Sequence, residues 1–492
     1  MSCRDKSQIE VNMKYAREAL RISVLVIVAL GLCRDYGSAQ FKEDALRLGI
    51  QGFGVGARAL GMGNAYTGVA SDYSALFWNP AGLAQARYGE FSFGLSYLNN
   101  KDNSTFFGQS DSYTSSATNL NALGLVFPVP VSRGSLVFAF GYDRQSNFTS
   151  GMAFQGFNPV SSIIQTWAPN GEKYPPEITL AEQLELADID TVTGTFISPI
   201  NGNVTQKGEA TEQGGLNNWS VGGGVDLAKN LSVGVTLTYV AGSYRYDRNY
   251  HELAAQGAYA PPFDMQELVV DDFIDGNIDG FNAKFGLLYR LPDWFRFGLA
   301  VKTPTSFSVN ETFGTTGTSY FWTPDAQGYS SYGPVDNPGS DEYTVHTPWV
   351  FSGGASLTLW RLMISGDVDW TDWTQLEFTE SNSNLDIQGL NRQIRDAFRP
   401  TVNVRGGAEL DLYLRLRAGF MYNQSPYKND PTSFDQKYLT AGVGLPLGES
   451  TMLDLGYAYG WWDTYRVNYD ETSRVDEKIK TNSFILTLTH RF

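Results

Sequence analysis

The sequence contains almost no cysteine or histidine, and this scarcity excludes several kinds of site. Its two cysteines, Cys3 and Cys33, both stand before residue 40, so the rest of the chain can form neither a disulfide nor a thiolate metal site. Its three histidines, His251, His346 and His490, are too scattered to suggest a metal cluster or an acyl-transfer site. We therefore expect no catalytic residue, no metal and no cofactor.

Runs of basic residues are also missing. The formal net charge is −16, from 36 Lys and Arg against 52 Asp and Glu, and no cationic stretch offsets this balance. A protein that binds nucleic acid needs a positive surface to neutralise phosphates. We therefore expect no nucleic-acid partner.

Only one strongly apolar run is present, from Ile22 to Cys33. Basic residues precede it, and the small residues Gly37-Ser38-Ala39 follow it. A basic segment, a short apolar core and a small-x-small end are typical of a secretory signal peptide, and this core is too short to span a bilayer comfortably. We predict a signal peptide over residues 1–39, with Met13 as the start codon.

Glycine and aromatic residues are abundant, with 51 Gly, 30 Phe, 27 Tyr and 11 Trp. Beyond residue 88, many segments alternate apolar and polar side chains. From Leu231 to Tyr239, for example, every second residue is apolar, and the segment ends in Tyr. This period of two is typical of a strand whose two faces meet different surroundings, and a terminal aromatic residue is typical of a membrane–water interface.

The connections between these segments indicate how they are arranged. Fourteen strands can be placed, and short turns alternate strictly with long loops, of which the longest are 146–216, 247–279 and 304–341. Ser306–Thr312 resembles a further strand, which leaves the count open by about two. Membrane barrels have short periplasmic turns and long outward loops. The sequence therefore predicts an all-β fold: a transmembrane antiparallel β-barrel over residues 88–492, in the bacterial outer membrane, with both ends of the mature chain in the periplasm.

The segment before the first strand is rich in small residues. Gly52–Gln85 combines Gly and Ala with large apolar side chains and ends in the rigid turn Asn79-Pro80-Ala81-Gly82. Small residues allow one backbone to pack closely against another. We predict that residues 40–87 form a hatch, a plug inside the lumen of the barrel.

Two stretches carry a resemblance to a known family. Residues 61–83, which include GMGNAY and LFWNPAGL, resemble the hatch of the FadL/TodX family of outer-membrane transporters for long-chain fatty acids and other hydrophobic compounds. Residues 365–374, SGDVDWTDWT, are similar to that family's D-x-x-W-T-x-W strand. The resemblance implies diffusive uptake of a hydrophobic small molecule, with a hatch that shifts and a ligand that leaves sideways through the wall. Fatty acids, aromatic hydrocarbons and terpene-like solutes all remain candidates.

A second function stays open at this point. Related barrels of the secretion-linked PorV type carry a similar hatch-like run, although they tend to be shorter. The alternative is therefore a structural or interaction component of a secretion system. In either case the final strand, which ends in Phe492, resembles the signal read by the bacterial barrel assembly machinery. That machinery and outer-membrane lipid are the predicted partners.

The candidate site residues fall into three groups. The moving part of the hatch is predicted to include Asp72, Asn79, Pro80, Ala81 and Gly82. Contacts with an apolar ligand are predicted for six residues of the hatch and the outward loops: Phe53, Leu60, Met62, Phe77, Phe273 and Trp322. Five cations are predicted to face the lumen and pair with a carboxylate headgroup: Arg296, Lys302, Arg405, Arg415 and Arg417.

Two alternatives accompany these predictions. In the first alternative, the cations pair with lumen acids such as Asp367, Asp369, Asp454 or Glu409. The apolar residues of the outward loops, among them Met265, Leu268, Val270 and Phe321, form either an exposed landing site for ligand or a lid of loops packed on one another.

Overall fold

Fourteen strands, paired antiparallel, form the wall of a closed barrel. The computed structural model describes residues 42–171, 179–291, 294–382 and 385–492. The predicted signal peptide lies outside these residues. The wall strands are β1 (Glu90–Phe106), β2 (Gln109–Val129), β3 (Leu136–Asn147 and Ser150–Asn158), β4 (Val204–Ala228), β5 (Leu231–Ala254), β6 (Met265–Leu291), β7 (Phe295–Lys302 and Ser306–Phe321), β8 (Ser331–His346 and Val350–Leu359), β9 (Leu362–Asp372 and Glu377–Ser381), β10 (Pro400–Asp411), β11 (Arg415–Asn423), β12 (Gln436–Pro446), β13 (Thr451–Val467) and β14 (Arg474–Arg491).

The barrel closes where its first and last strands meet. β1 pairs with β14 from Glu90 opposite Arg491 to Thr105 opposite Asp476. The predicted fold class is therefore confirmed. Ser306–Thr312 is not a fifteenth strand, because it begins the second segment of β7 and pairs with the same neighbour, β6, as the first segment does.

Exposed apolar side chains form a belt around the outside of the barrel. Along β5, Val235, Leu237 and Tyr239 are exposed, whereas Thr236 and Thr238 on the other face are buried. Successive side chains of a strand point to opposite faces, so the apolar set meets lipid and the polar set meets the lumen. The belt ends in aromatic residues, as expected at a membrane–water interface.

The strands continue beyond this belt on the side of the long loops. β5 and β6 remain paired as far as Leu253 opposite Glu267, and β7 and β8 as far as Tyr320 opposite Ser331. Much of the predicted loops 247–279 and 304–341 is therefore strand. The short turns lie at the opposite, periplasmic end of the barrel.

The predicted loop 146–216 folds into a cap on the extracellular side. Besides the second segment of β3 and the start of β4, it contains two short helices and a hairpin: Ile164–Trp167, Leu180–Gln183, Asp188–Asp190 and Thr195–Ile197. Side chains from this insertion form a buried apolar core with β6 and β7 residues, including Met265, Leu268, Val270 and Phe321. These four residues are part of a lid of packed loops and are not an exposed landing site.

The hatch occupies the lumen and is built from short helices. Its elements are α1 (Lys42–Gly49), α2 (Ala57–Gly61), α3 (Ala75–Trp78) and the 3-10 helix Pro80–Gln85. Another helix, Ile387–Ala397, and two 3-10 turns, Trp373–Gln375 and Glu471–Ser473, lie outside the hatch. No helix in the described ranges is both long and apolar enough to cross a membrane.

The start of the hatch lies in the extracellular half of the barrel. Ala45 and Leu46 of α1 pack in one apolar cluster with Tyr244 and Phe378, which lie above the belt. The hydroxyl of Tyr427, in the outward loop after β11, donates to Glu43 at 3.4 Å. The described residues do not agree with the expectation that the mature chain begins in the periplasm: from Lys42 the chain descends through the lumen from the extracellular side before β1 begins.

Candidate functional site

Glycines bring the hatch into direct backbone contact with the wall. Gly63 has a left-handed φ of 61°, and a Cβ at this position would lie 2.6 Å from the carbonyl oxygens of Gly406 and Phe420. A Cβ added to Gly61 would lie 3.0 Å from the Cα of Gly442. Side chains at these positions would force the two backbones apart, so this part of the hatch has no room for larger residues.

A wall carboxylate holds the centre of the hatch. Asp367 on β9 accepts hydrogen bonds from the backbone N–H groups of Tyr66 and Thr67, at 2.7 and 2.6 Å. All three residues are buried. A buried N–H that loses its acceptor costs about 1–3 kcal/mol, so this contact stabilises the seated hatch. The two stretches that resemble the family, residues 61–83 and 365–374, are thus hydrogen-bonded to each other.

An ion-pair network holds the lower part of the hatch. Arg58 of α2 binds Glu409 on β10 at two points, and Glu409 also pairs with Arg417 on β11 at 2.7 Å. Arg417 reaches Asp454 on β13 at 2.7 Å, and its side chain is fully buried. Because every cation of the network faces a carboxylate, the buried charges are compensated.

The predicted turn of the hatch is tied both to itself and to the wall. The side-chain amide of Asn79 donates to the carbonyl oxygens of Thr67, at 2.9 Å, and of Leu287 on β6, at 3.1 Å. Its side-chain oxygen accepts the N–H of Ala81 and so caps the helix that begins at Pro80. Moving this turn would break a wall contact.

Gly82 and Asp72 hold neighbouring parts of the hatch. Gly82 packs closely against the carbonyl of Ala70. Asp72 accepts the hydroxyl hydrogen of Tyr66 at 2.7 Å and both the N–H and the hydroxyl of Ser74. These bonds lie within the hatch, so they stabilise its own shape.

Beside the hatch lies a chamber of about 310 Å³. Its lining reaches from the hatch to the outward loop between β11 and β12. Aromatic rings line much of it: Phe53, Phe77, Trp78, Trp373, Tyr427, Phe434, Tyr438 and Trp462. Polar groups line the remainder, among them Asn403, Asn423, Gln424 and Ser425. The chamber therefore offers both apolar surface and hydrogen-bonding groups to a solute.

The predicted ligand contacts in the hatch divide into two pairs. Phe53 and Phe77 line the chamber. Leu60 packs against the wall in a cluster with Met421 and Tyr438, and Met62 belongs to the core of the hatch. Leu60 and Met62 are fully buried there, so the structure does not place them at the chamber.

The predicted cations also have different surroundings. Arg405 lines the chamber and pairs with Asp369 at 2.6 Å. Arg417 belongs to the network that holds the lower part of the hatch. Arg415 pairs with Asp411 at 3.4 Å, next to a periplasmic turn. For these three residues, pairing with a protein carboxylate is what the structure shows.

Arg296 and Lys302 lie on β7, at different heights. Arg296 is opposite Arg290 of β6 near the periplasmic end, and Lys302 is opposite Lys284. Lys284 donates a hydrogen bond to the carbonyl of Phe77. Lys302, Lys284 and Phe77 line a second, small cavity of about 20 Å³, room for about one water molecule.

Phe273 and Trp322 are each 38% exposed. They lie on the extracellular strands and the loop beyond the belt. Both are accessible from outside, unlike the apolar residues buried in the cap. They remain predicted ligand contacts.

The wall has a break beside the hatch. Hydrogen-bonded pairing of β2 with β3 ends at Ala122 opposite Asp143, although β2 continues outward to Gln109. β3 is interrupted between Asn147 and Ser150. Next to this interruption is a cavity of about 580 Å³, lined by Tyr113, Ser115, Ser116, Ala117, Asn119, Arg144, Thr149, Ser150, Thr211, Glu212, Gln213 and Gly214.

The break begins where the apolar belt ends. Tyr142 on β3 stands opposite Trp219 on β4, an exposed belt residue, and Arg144 lies just above this pair. The guanidinium of Arg144 donates to the carbonyl of Gly214 at 2.7 Å and to the side chain of Asn217 at 3.1 Å. The break therefore faces the headgroup region and the surface above it.

Several chamber residues were not among the sequence-based candidates. Trp78, Tyr438 and Trp462 contribute large rings to the chamber. Trp78 directly follows Phe77, a predicted ligand contact, so the sequence already indicates that Trp78 lies near the ligand. Tyr438 and Trp462 lie on β12 and β13 and face the lumen. Because side chains alternate between the two faces of a strand, the inward direction of both could be predicted from the sequence.

Within the described residues, no group of three or more His, Cys, Asp or Glu side chains is placed to hold a metal ion. The adjacent carboxylates of Asp271 and Asp272 on β6 both have partners within the protein. Asp272 pairs with Arg248 at 2.5 Å, and Asp271 accepts from Asn249.

Comparison with known proteins assigns the chain to a family. A profile of the outer membrane protein transport protein family (OMPP1/FadL/TodX) matches residues 216–492, more than half of the chain. The chain belongs to this family. FadL/TodX proteins are outer-membrane transporters of hydrophobic compounds, so the predicted location in the bacterial outer membrane is confirmed.

Solved structures share the fold of this FadL/TodX barrel. The toluene transporter TodX of P. putida is 14% identical, with a TM-score of 0.54 over 89% of this chain and 99% of that one. A FadL homologue of Pseudomonas aeruginosa is also 14% identical, with a TM-score of 0.56 over 90% and 99%. No curated protein matches the sequence. At these identities the comparison establishes the architecture alone.

Proposed function

We propose that this barrel takes up hydrophobic compounds with a polar end, long-chain fatty acids being the class that fits best, by diffusion past a hatch that moves. The chamber supports this choice of ligand. Rings of Phe53, Trp78 and Trp462 would hold a hydrocarbon chain, and amides of Asn423 and Gln424 would bind a polar headgroup.

The position of Phe77 is the observation that carries the proposal. Phe77 and Gln51 line both the chamber and the small cavity beside it. The small cavity also touches Asp143 and Gln145, whose neighbour in the chain, Arg144, lines the break in the wall. Displacement of α3 would therefore join the chamber to the break.

The route needs no energy source. A solute enters from the outward loops, rests in the chamber, passes Phe77 and leaves at the break beside the outer leaflet. Transfer of apolar surface from water to hydrocarbon is favourable by about 25 cal/mol per Å², so the membrane itself drives the final step.

A reversible cross-link tests whether the hatch has to move. The N–H of Ala57 in the hatch donates to the hydroxyl of Thr487 on β14 at 3.0 Å. The variant Ala57→Cys/Thr487→Cys would tie these segments together in a chain whose other cysteines, Cys3 and Cys33, precede the predicted cleavage site. In liposomes we expect labelled oleate to enter with the reduced variant and not with the oxidised one, while reductant restores entry.

The two single-cysteine variants are the matched controls, and gel mobility with a thiol count shows that the barrel is folded and the disulfide formed. Undiminished oleate entry through the cross-linked barrel would refute a route in which the hatch leaves the wall as one body. Absence of oleate entry in every form, together with recovery of a stable complex with a secreted protein, would favour the secretion-system alternative. Entry of toluene without oleate would keep the route and change the ligand class.

A further inference from the structure

A row of basic residues crosses four neighbouring strands on the outside of the barrel. Strand pairing places Lys437 of β12 opposite Trp461 of β13, Trp461 opposite Lys480 of β14, and Lys480 opposite Lys101 of β1. Adjacent strands lie about 4.8 Å apart, so the row is about 15 Å long. Lys478 follows directly above Lys480 on the same face.

The row lies on the upper edge of the apolar belt. Lys101, Lys478 and Lys480 are exposed, and their chain neighbours Asp102 and Glu477 are buried on the opposite, inner face. Four residues below this basic row along β1 and β14, the same outer face carries belt residues, with Tyr97 opposite Phe484. The lysines therefore stand at the height where hydrocarbon gives way to lipid headgroups.

Lys101, Lys437 and Lys480 have no carboxylate opposite them on the neighbouring strands, whereas Lys478 stands opposite Asp463 of β13 on the same face. Lys101 and Lys480 are directly opposite, an arrangement of like charges that destabilises a pair of strands. In the part of the chain that the structure describes, no carboxylate lies within 4.0 Å of either ammonium group or of that of Lys478. Lys437 donates to the carbonyl of Thr432 at 2.6 Å and leaves its charge unneutralised.

The opposite side of the barrel has the reverse charge. β6, which lies half-way round the wall, exposes Asp271, Asp275 and Asp279 above its belt. The chain as a whole has a formal net charge of −16. A cluster of four lysines on one face is therefore a local departure from the charge of the protein, and its cost calls for an anionic partner.

We propose that Lys101, Lys437, Lys478 and Lys480, together with Trp461, bind the phosphorylated headgroup of an outer-leaflet lipid. Lysine ammonium groups bind phosphate as point charges, and basic clusters at a membrane surface attract anionic lipid. The Trp461 ring offers a flat apolar surface at the same height for the sugar or upper acyl region of the lipid.

The site is next to the break in the wall. Lys101 is opposite Thr114 of β2, and the adjacent Tyr113 lines the break cavity. A lipid held by the lysines would thus border the opening. It would also stabilise the strands around the closure of the barrel, where β1 meets β14.

Lipid retention by the full-length protein tests the proposal. The protein would be extracted from outer membranes, washed in detergent, and its bound phospholipid and phosphorylated glycolipid measured by mass spectrometry. Lys101→Gln/Lys480→Gln should lower the affinity for a phosphorylated glycolipid added in micelles by about 30-fold, about fivefold for each lysine lost at an anionic lipid surface.

Matched controls separate this site from general charge effects. Lys207→Gln/Lys229→Gln removes the same charge from exposed lysines of β4 and of a periplasmic turn, and should leave the affinity unchanged. Lys101→Arg/Lys480→Arg should restore binding, and gel mobility shows that each barrel is folded. Equal loss in both Gln pairs, equal binding of the dephosphorylated glycolipid, or full competition by inorganic phosphate at the same concentration would overturn the proposal.

Discussion

The guanidinium of Arg58 forms a two-point ion pair with Glu409, with Nε–Oε2 at 2.8 Å and Nη2–Oε1 at 2.7 Å. The first residue belongs to the hatch and the second to the wall. Both side chains are largely shielded from solvent, at 19% and 7% exposure. The pair is therefore a contact that the seated hatch makes and that a moving hatch must break.

Arg58→Met is expected to loosen the hatch while the wall stays intact, because Glu409 retains Arg417 as a partner. Because Glu409 is not left without a partner, the loss is that of hydrogen bonds to a charged group, about 1.5–3 kcal/mol. Hydrogen exchange of the hatch amides should accelerate by about tenfold or more, and small polar solutes should leak through the barrel. Arg245→Met, which breaks an exposed pair with Asp247, is the control and should change neither measurement.

Gly63→Ala tests the close packing of hatch and wall. The new Cβ would meet two backbone oxygens at 2.6 Å in addition to the strain of a left-handed φ. Gly257→Ala is the control for backbone strain without a contact, because φ of Gly257 is 82° and no atom lies within 4 Å of the added Cβ. Strain costs about 1–2 kcal/mol. Thermal unfolding should show the larger loss for Gly63→Ala, and equal losses would contradict the contact.

A bulky side chain in the wall break is expected to slow transport. Thr149→Trp points a large ring into the cavity beside the interruption of β3, whereas Ser112→Trp places the same ring on an exposed part of β2 outside it. If ligand leaves through the break, oleate entry into liposomes falls severalfold in the first variant only. Similar entry rates in both variants would show that the exit is elsewhere.

The ion pair in the chamber predicts a dependence on ligand charge. Asp369 neutralises Arg405 at 2.6 Å, so Asp369→Asn leaves a cation facing the chamber. Charge-assisted hydrogen bonds to a carboxylate are about twice as strong as neutral ones. We expect tighter binding of oleate and unchanged binding of toluene, measured by calorimetry. Tighter binding of both would point to a change of chamber shape instead.

Asp102 predicts how stability depends on pH. It lies above the belt, and burial, followed by the facing carboxyl of Glu477, raises its pKa above the usual range, while Arg466 acts in the opposite direction. Arg466 in turn pairs with Glu212. A raised folded-state pKa means that the folded protein binds the proton more tightly. The stabilisation that this bound proton gives the folded state is complete below about pH 4, and it is lost as the pH rises through the raised pKa of Asp102.

Asp102→Asn replaces this titrating carboxyl with an amide that does not titrate. The variant should lose less thermal stability than the natural sequence between acidic and alkaline pH, with Tm as the measurement. Lys101, beside it on the outer face, is the matched site: Lys101→Gln should leave the slope of Tm against pH unchanged. A slope unaffected by Asp102→Asn would contradict the raised pKa.

The wall could be predicted because its signal is local. A period of two, such as Val235, Leu237 and Tyr239, reports the face of a strand without knowledge of its neighbours. The strand count and the parity of loop lengths followed from it. The extracellular strand extensions carry no such signal: the Ser- and Thr-rich start of β2 has no apolar face, and only its pairing with β1 makes it a strand.

The sequence by itself determined the barrel, its terminal strand and a hatch of small residues, because composition and alternation are properties of short segments. Tertiary structure alone decided where the charges meet. Arg405 and Arg417 look alike as inward-facing cations, yet one lines the chamber and the other is enclosed between Glu409 and Asp454. The difference arises because a side chain's partners come from strands distant in sequence, and closure of the barrel sets those neighbours.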